Sequence, residues 1–217
     1  MSRKKNNLQR KRSKPYNNKN KKKIFKRHKT LLTILAAIIL LSIIFTAFMV
    51  FFNEEKTNPI ATIETSKGSI KVELYKDKLP NTVKNFVKLA KNDFYQGLVF
   101  HRVIDGFMIQ GGGFTPDGDK KESPYGSIDL ETHPDVKHID GTISMARTSG
   151  DPNSATNQFF ICDGPQSHLD GSYAAFGKVV EGMKVVRNIS SVETTSKYGH
   201  SDWPKENIEI IDVKIKD

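Results

Sequence analysis

The spacing of apolar and polar side chains divides the chain into three stretches. Residues 1–29 carry few apolar side chains. They lead into TLLTILAAIILLSIIFTAFMVFF, Thr30 to Phe52, 23 residues without a charge or a proline. A helix rising ~1.5 Å per residue crosses the ~30 Å hydrocarbon core of a bilayer with about 20 residues, so this run predicts one transmembrane helix. Beyond a short polar linker, 53–58, apolar positions recur in short bursts to the end of the chain.

Within residues 59–217, IATIETSKGSIKVELY alternates on either side of Lys67 and Gly68, which predicts two strands joined by a tight turn. LPNTVKNFVKLAKNDFY places Val83, Phe86, Val87 and Ala90 at helical spacing, with Pro80 near the start and lysines toward the end. EGMKVVRNISSV, 181–192, spaces Met183, Val186 and Ile189 three apart and predicts a shorter second helix. The remaining apolar segments, 98–104, 107–110, 141–146, 157–162, 173–180 and 207–215, are strand-length and separated by Gly, Pro, Asp and Asn. From Ile60 to Asp217 there are 158 residues, the size of one domain with one core. Many short strands with two helices predict a mainly β domain, a closed antiparallel barrel with helices packed on it. Periodicity leaves the strand order open.

Charge sharpens this division. The chain holds 34 Lys/Arg against 24 Asp/Glu, but 14 of the basic residues and none of the acidic ones fall in residues 1–30. The remainder is therefore slightly acidic, 20 against 24, and bulk basicity is no argument for nucleic acid. The tail interleaves only Tyr16 and Phe25 with its charges, so RNA binding is not expected. Its first role is to set topology, with contact to anionic lipid head groups as the alternative. The apolar run exceeds the ~7–15 residues of a signal-peptide core and ends in FMVFFNEEK without a small-x-small cleavage site. The lone cysteine, Cys162, lies far from the position a lipid-anchored precursor needs. These features predict an uncleaved single-pass anchor, with residues 1–29 a disordered cytoplasmic tail and the domain outside the cell membrane.

Most familiar chemistry is missing. The histidines are scattered, with no H-x-x-x-H pair and no cysteine partner, so no metal is expected. No G-x-S-x-G elbow is present, and Gly111 to Gly113 lack the G-K-[ST] ending of a phosphate loop. That glycine run reads as backbone needing close approach or positive φ. Cys162, inside QFFICD, reads as a small buried side chain. No cofactor is expected. What remains is FHRVIDGFMIQGGG, Phe100 to Gly113: one arginine among apolar and amide side chains.

That stretch, followed by GTISMART (141–148), NSATNQFFI (153–161) and HLDGSYAAFGKVVEGMKVV (168–186), resembles the successive blocks of the cyclophilin family of peptidyl-prolyl cis-trans isomerases. The likeness covers residues 59–217. It implies an eight-stranded antiparallel β-barrel capped by two α-helices, with the substrate groove on the barrel's outer face. By position, Arg102 resembles the family's catalytic arginine, and Gln110 the glutamine that holds it and contacts substrate backbone. Phe107, Met108, Phe160 and Leu169 resemble the apolar pocket for the proline ring. Ala146 and Arg147 match the strand that pairs with substrate main chain, and Gln158 matches a groove glutamine. This chain departs from the common pattern with Arg147 for asparagine, Tyr173 for histidine and Gly113 for aspartate. His168 stands where many eukaryotic members have a tryptophan that helps grip the inhibitor cyclosporin.

The chemistry is consistent with so sparse a site. X–Pro rotation is slowed by amide resonance, a barrier of ~18–20 kcal/mol. In the twisted state the prolyl nitrogen becomes pyramidal and can accept a hydrogen bond, so a fixed cationic donor binds that state better than either planar isomer. The expected activity is isomerisation of X–Pro bonds in unfolded or proline-containing polypeptides, by a monomer, in the service of exported proteins. A non-catalytic chaperone or scaffold using the same groove is the alternative.

Overall fold

The computed structural model of the protein describes residues 18–52 and 58–216, and the chain divides into two compact units between residues 56 and 57. The expected tail up to residue 17 and the linker at 53–57 lie outside the described residues.

The described residues of the first unit form one helix, α1, Asn18–Phe52. It begins at Asn18, well before the apolar run, so the basic stretch from residue 18 onward continues the helix. The reason is cooperativity: once the apolar run has nucleated a helix, lysines extend it at little cost, and no proline or glycine stands between 18 and 30 to stop it. The window Phe25–Phe48 has a mean hydropathy of 2.8 and buries none of its surface within the protein. It is long and apolar enough to cross a membrane, a property shared with export signals. Its hydroxyls turn back onto its own carbonyls, Thr30 to Lys26 (2.9 Å), Ser42 to Ile39 (2.8 Å) and Thr46 to Ser42 (2.9 Å). These donors are thereby satisfied without water.

The second unit is built on a closed barrel. Strands β1 (Ile60–Thr65), β2 (Gly68–Leu74), β3 (Leu98–Ile104), β4 (Met108–Gly111), β5 (Thr142–Met145), β6 (Phe159–Cys162) and β7 (Ala175–Glu181) precede a hairpin of β8 (Thr194–Lys197) and β9 (His200–Pro204), and β10 (Glu209–Lys216) ends the chain. Around the barrel the order is β1-β10-β3-β4-β6-β5-β7-β2, every neighbour antiparallel. The β8–β9 pair forms a sheet of its own. The eight-stranded closure agrees with expectation. The hairpin went unread because its residues are mostly polar and only Trp203 and Pro204 are buried.

Alternation drives closure. In β1 and β2, Ala61, Ile63, Ile70, Val72 and Leu74 point inward and are fully buried, while the residues between them stay partly exposed. The turn at Lys67-Gly68 is closed by Thr65, whose hydroxyl donates to the Gly68 carbonyl (2.7 Å) and accepts from the Lys67 N–H (3.1 Å). Helix α2, Pro80–Lys91, starts at its proline and buries Val83, Phe86, Leu89 and Ala90, leaving Val87 half-buried. Helix α3, Met183–Ser190, buries Val186 and Ile189. Phe86 meets Tyr95, Phe159 and Phe176 at centroid distances of 5.3, 5.6 and 5.2 Å, so the interior is filled with rings. A packed interior leaves no room for a ligand inside the barrel.

Candidate functional site

A bulge in β3 makes the site. Its pairing with β4 shifts between Phe100 and Arg102: Phe100 pairs with Gly111, but Arg102 pairs with Gln110. Phe100 and Val103 join the interior cluster, which leaves His101 and Arg102 together on the outer side. The glycines opposite are required by contact. A Cβ on Gly111 would lie 2.9 Å from the Phe100 ring, and Gly112 holds φ at +80°.

On the outer face, Met108, Phe160, Cys162 and Leu169 form a second buried apolar cluster, with Ile104, Phe107, Ala146 and Tyr173 packed on it. Part of this cluster lines a cavity of about 130 Å³ bounded by Arg102, Phe107, Met108, Gln110, Ala146, Arg147, Phe160, Leu169 and Tyr173. Every one of these is a residue to which the sequence points. Gln158 and His168, also expected, lie just outside the lining: Gln158 accepts a hydrogen bond from the Gln110 amide (2.9 Å), and His168 stacks on Phe107 at 5.9 Å. Leu169 reaches the pocket from a single 3-10 turn, Ser167–Leu169. Its size matters. An apolar cavity of ~150 Å³ holds a benzene ring, so this one suits a five-membered ring and little more.

The pocket wall is backed by a polar network. His138 is buried and stacks flat behind Phe160, centroids 6.0 Å apart. Its Nδ1 lies 2.9 Å from Asp170 Oδ1 and its Nε2 3.1 Å from the Ser144 hydroxyl, while Asp170 also accepts the His138 backbone N–H (2.8 Å). Burial lowers the His138 pKa, and the hydrogen bond and charge of Asp170 offset only part of that. The neutral ring then donates from Nδ1 to the carboxylate and accepts from Ser144. Sequence reasoning gave His138 and Asp170 no role because a polar loop residue carries no mark of what it will pack against; His138 backs Phe160, and Asp170 holds His138 there.

Two cations flank the cavity. Arg147 is held at the rim by its Nε donating to the Ser172 carbonyl (2.8 Å) and by the Tyr173 ring 4.6 Å from its guanidinium carbon. Ala146 gives its N–H to the Gln158 carbonyl (2.9 Å), so only the other main-chain groups of this segment can meet an extended ligand. Arg102 is half-exposed, with its guanidinium carbon 5.9 Å from the centre of the Phe107 ring. The resemblance assigns Gln110 the task of holding Arg102. Here the two are opposite in register, but no hydrogen bond joins them among the described residues: the Gln110 amide nitrogen donates to Gln158, and the side chain bonded to Arg102 is Asp202 on β9 (Nε to Oδ2, 3.4 Å). Nothing in the motif blocks signals Asp202.

Proton-transfer chemistry has little to work with. Burial, reinforced by the nearby His200, pushes the His101 pKa down to about 3. Burial pushes the Cys162 thiol up to about 12, in keeping with its reading as an inert packed side chain. Among the described residues no group of three or more metal-ligating side chains converges.

Comparison with known proteins agrees with this arrangement. The family model described as cyclophilin type peptidyl-prolyl cis-trans isomerase/CLD matches residues 60–215. A peptidyl-prolyl cis-trans isomerase of Acinetobacter baylyi is 43% identical over 164 residues, covering 73% of this chain and 86% of the relative. Peptidyl-prolyl cis-trans isomerase B of Escherichia coli is 41% identical over 166 residues, covering 73% of this chain and all of the relative. The crystal structure of a Cryptosporidium parvum cyclophilin type isomerase, determined in the presence of the dipeptide Ala-Pro, superposes with a TM-score of 0.66 at 34% identity, covering 73% of this chain and 99% of that one.

Proposed function

The chain belongs to the cyclophilin-type peptidyl-prolyl cis-trans isomerases, and from that premise we propose that Arg102 catalyses X–Pro rotation while the pocket beside it grips the proline ring. The observation that carries this reading is the position of the Arg102 guanidinium on the wall of a small cavity that Phe107, Met108, Phe160 and Leu169 also line. The ring enters the cavity and is immobilised. The acyl side of the bond turns outside it, where Arg102 donates to the pyramidal prolyl nitrogen. Gln110 and the 146–147 segment orient the flanking main chain. No bond other than the hydrogen bond forms, and no proton changes hands.

One charge-assisted hydrogen bond contributes ~1.5–3 kcal/mol, or about one to two powers of ten in rate. The rest of the acceleration comes from desolvation and from fixing one end of the bond. The test is proline-limited isomerisation of a peptide by residues 57–217, a unit that corresponds to the full length of the Escherichia coli relative. The wild type should be active, and Arg102→Ala should lose ten- to a hundredfold, as estimated above, with its fold intact. Equal rates would remove Arg102 from the mechanism. The ligand class is proline-containing polypeptide, as the Ala-Pro dipeptide of the Cryptosporidium parvum protein supports.

We further propose that α1 anchors the protein in the cell membrane as a bacterial single-pass form. Its basic N-terminal residues then lie in the cytoplasm, in reach of anionic head groups, and the isomerase domain lies outside, serving exported chains. The unburied apolar window and the concentration of 14 basic residues in positions 1–30 support this. Protease added outside intact cells should digest the domain; digestion only after the membrane is opened would reverse the orientation.

A further inference from the structure

Arg102 has one hydrogen-bonded side-chain partner among the described residues, and it comes from outside the barrel. The β8–β9 hairpin is fastened at both ends. At its tip, Tyr198 (φ +52°) and Gly199 (φ +81°) make the turn, and the Tyr198 ring occupies the space a Cβ on Gly118 would need. At its base, Trp203 is fully buried among Phe114, His200 and Tyr198, with centroids 6.1, 5.5 and 5.1 Å away. Its indole N–H donates to Asn207 Oδ1 (3.0 Å), and the Asn207 amide donates to the Pro116 carbonyl (3.0 Å). Asp202 directly precedes Trp203, so its backbone is fixed by the most buried side chain of the hairpin.

We propose that Asp202 is a positioning residue for catalysis: its carboxylate takes the Nε–H of Arg102 and so turns the terminal amino groups of the guanidinium toward the pocket. A guanidinium is a rigid planar fork with five N–H donors. Engaging Nε from one side leaves the terminal groups free of that bond, and Arg102 is one of the residues that line the cavity. Among the described residues no other side chain is hydrogen-bonded to Arg102: the Gln110 side chain turns its amide N–H to Gln158 and makes no bond to the guanidinium, and the Phe107 ring attracts the cation only weakly at 5.9 Å. The 3.4 Å contact is longer than the ~2.7–2.9 Å of a tight charge-assisted bond, and the two side chains are 39% and 35% exposed. Asp202 therefore steers Arg102 and adds little to stability. The hairpin, which contributes no strand to the barrel, thereby acquires a function.

The inference rests on Arg102 being the catalytic donor, and a double-mutant cycle on the 57–217 domain separates the two claims. Asp202→Ala should lower kcat about fivefold, the upper end of what a half-exposed pair supplies, with KM and the thermal midpoint little changed. Asp202→Glu should restore part of the loss. In the Arg102→Ala background, Asp202→Ala should have no further effect. The Arg102 Nε–H should exchange with solvent faster in Asp202→Ala than in the wild type. An equal loss in both backgrounds, a loss confined to KM, or unchanged Nε–H exchange would overturn the positioning role. If Arg102→Ala itself leaves kcat unchanged, the catalytic reading fails first and the cycle shows it.

Discussion

Acidification should destabilise the isomerase domain along a slope to which His101 contributes. His101 is 1% exposed, enclosed by Phe114, Trp203 and His200, and its Nδ1 has no hydrogen-bond partner. Burial first, and repulsion from His200 second, lower its pKa from 6.5 to about 3. The sign follows from linkage. Above 6.5 the ring is neutral in both folded and unfolded chains, so His101 contributes no pH dependence there. Below 6.5 the unfolded chain binds a proton that the folded one refuses, and stability falls until pH nears 3. At pH 4.5, two units into that window, the loss is ~2.7 kcal/mol at ~1.4 kcal/mol per unit. Denaturant unfolding of the 57–217 domain at several pH values, beside a His101→Phe variant, reads this directly. Carboxylate titrations common to both cancel in the difference, and the variant should lack about this much of the acid-side loss. Parallel stability curves for the two proteins would refute the reasoning. The activity readout should behave differently. A guanidinium keeps its charge throughout, so kcat/KM of the folded enzyme should stay flat from about pH 6 to 8. A titration step there would bring proton transfer back into the mechanism.

Other outcomes follow from single contacts. Gly113→Ala places a Cβ 2.5 Å from Gln158 Cδ, so it should displace Gln158, break its bond to Gln110 and raise KM more than it changes the thermal midpoint. Phe160→Ala removes the pocket floor between His138 and Tyr173 and should cost about 3 kcal/mol in stability, with loss of affinity for proline peptides on titration. Glu131→Gln should lower the thermal midpoint by about 2–4 °C, since its carboxylate accepts from the N–H groups of Asn81 (3.2 Å) and Thr82 (2.6 Å) at the start of α2. Burial raises the Glu131 pKa, but the bonds from Thr82 and Asn81 outweigh it and the net shift is downward. Its contribution is therefore present above the ordinary carboxylate range and lost as pH falls through the lowered value.

Much of the site was legible because it is local. Arg102, Met108 and Gln110 lie on two consecutive strands of one hairpin and Phe107 in the turn between them, so a short ordered motif brings them together whatever the rest of the chain does. Their roles, like those of Phe160, Leu169 and Tyr173, were legible because they sit in motif blocks distinctive enough to carry a family resemblance. His138, Asp170 and Glu131 were not, because a polar residue in a loop looks alike whether it faces water or holds a wall from behind. The β8–β9 hairpin escaped for a related reason. Its strands are polar, and its one strong apolar anchor, Trp203, has a meaning only once Phe114 and His101 are placed against it.

From the sequence alone came the division into apolar helix and β domain, the hairpin at Lys67-Gly68 and both packed helices, all of which depend on spacing along the chain. The residues expected to line the pocket came instead from the resemblance of the motif blocks to a family. The tertiary structure decided which strands close the barrel, that the bulge at Phe100 to Arg102 sets Arg102 on the outer face, and that Asp202 meets it across a separation of 100 residues. Partners so far apart in sequence are chosen by packing. The order of strands and the burial of one tryptophan determine them, and no local pattern of residues contains that information.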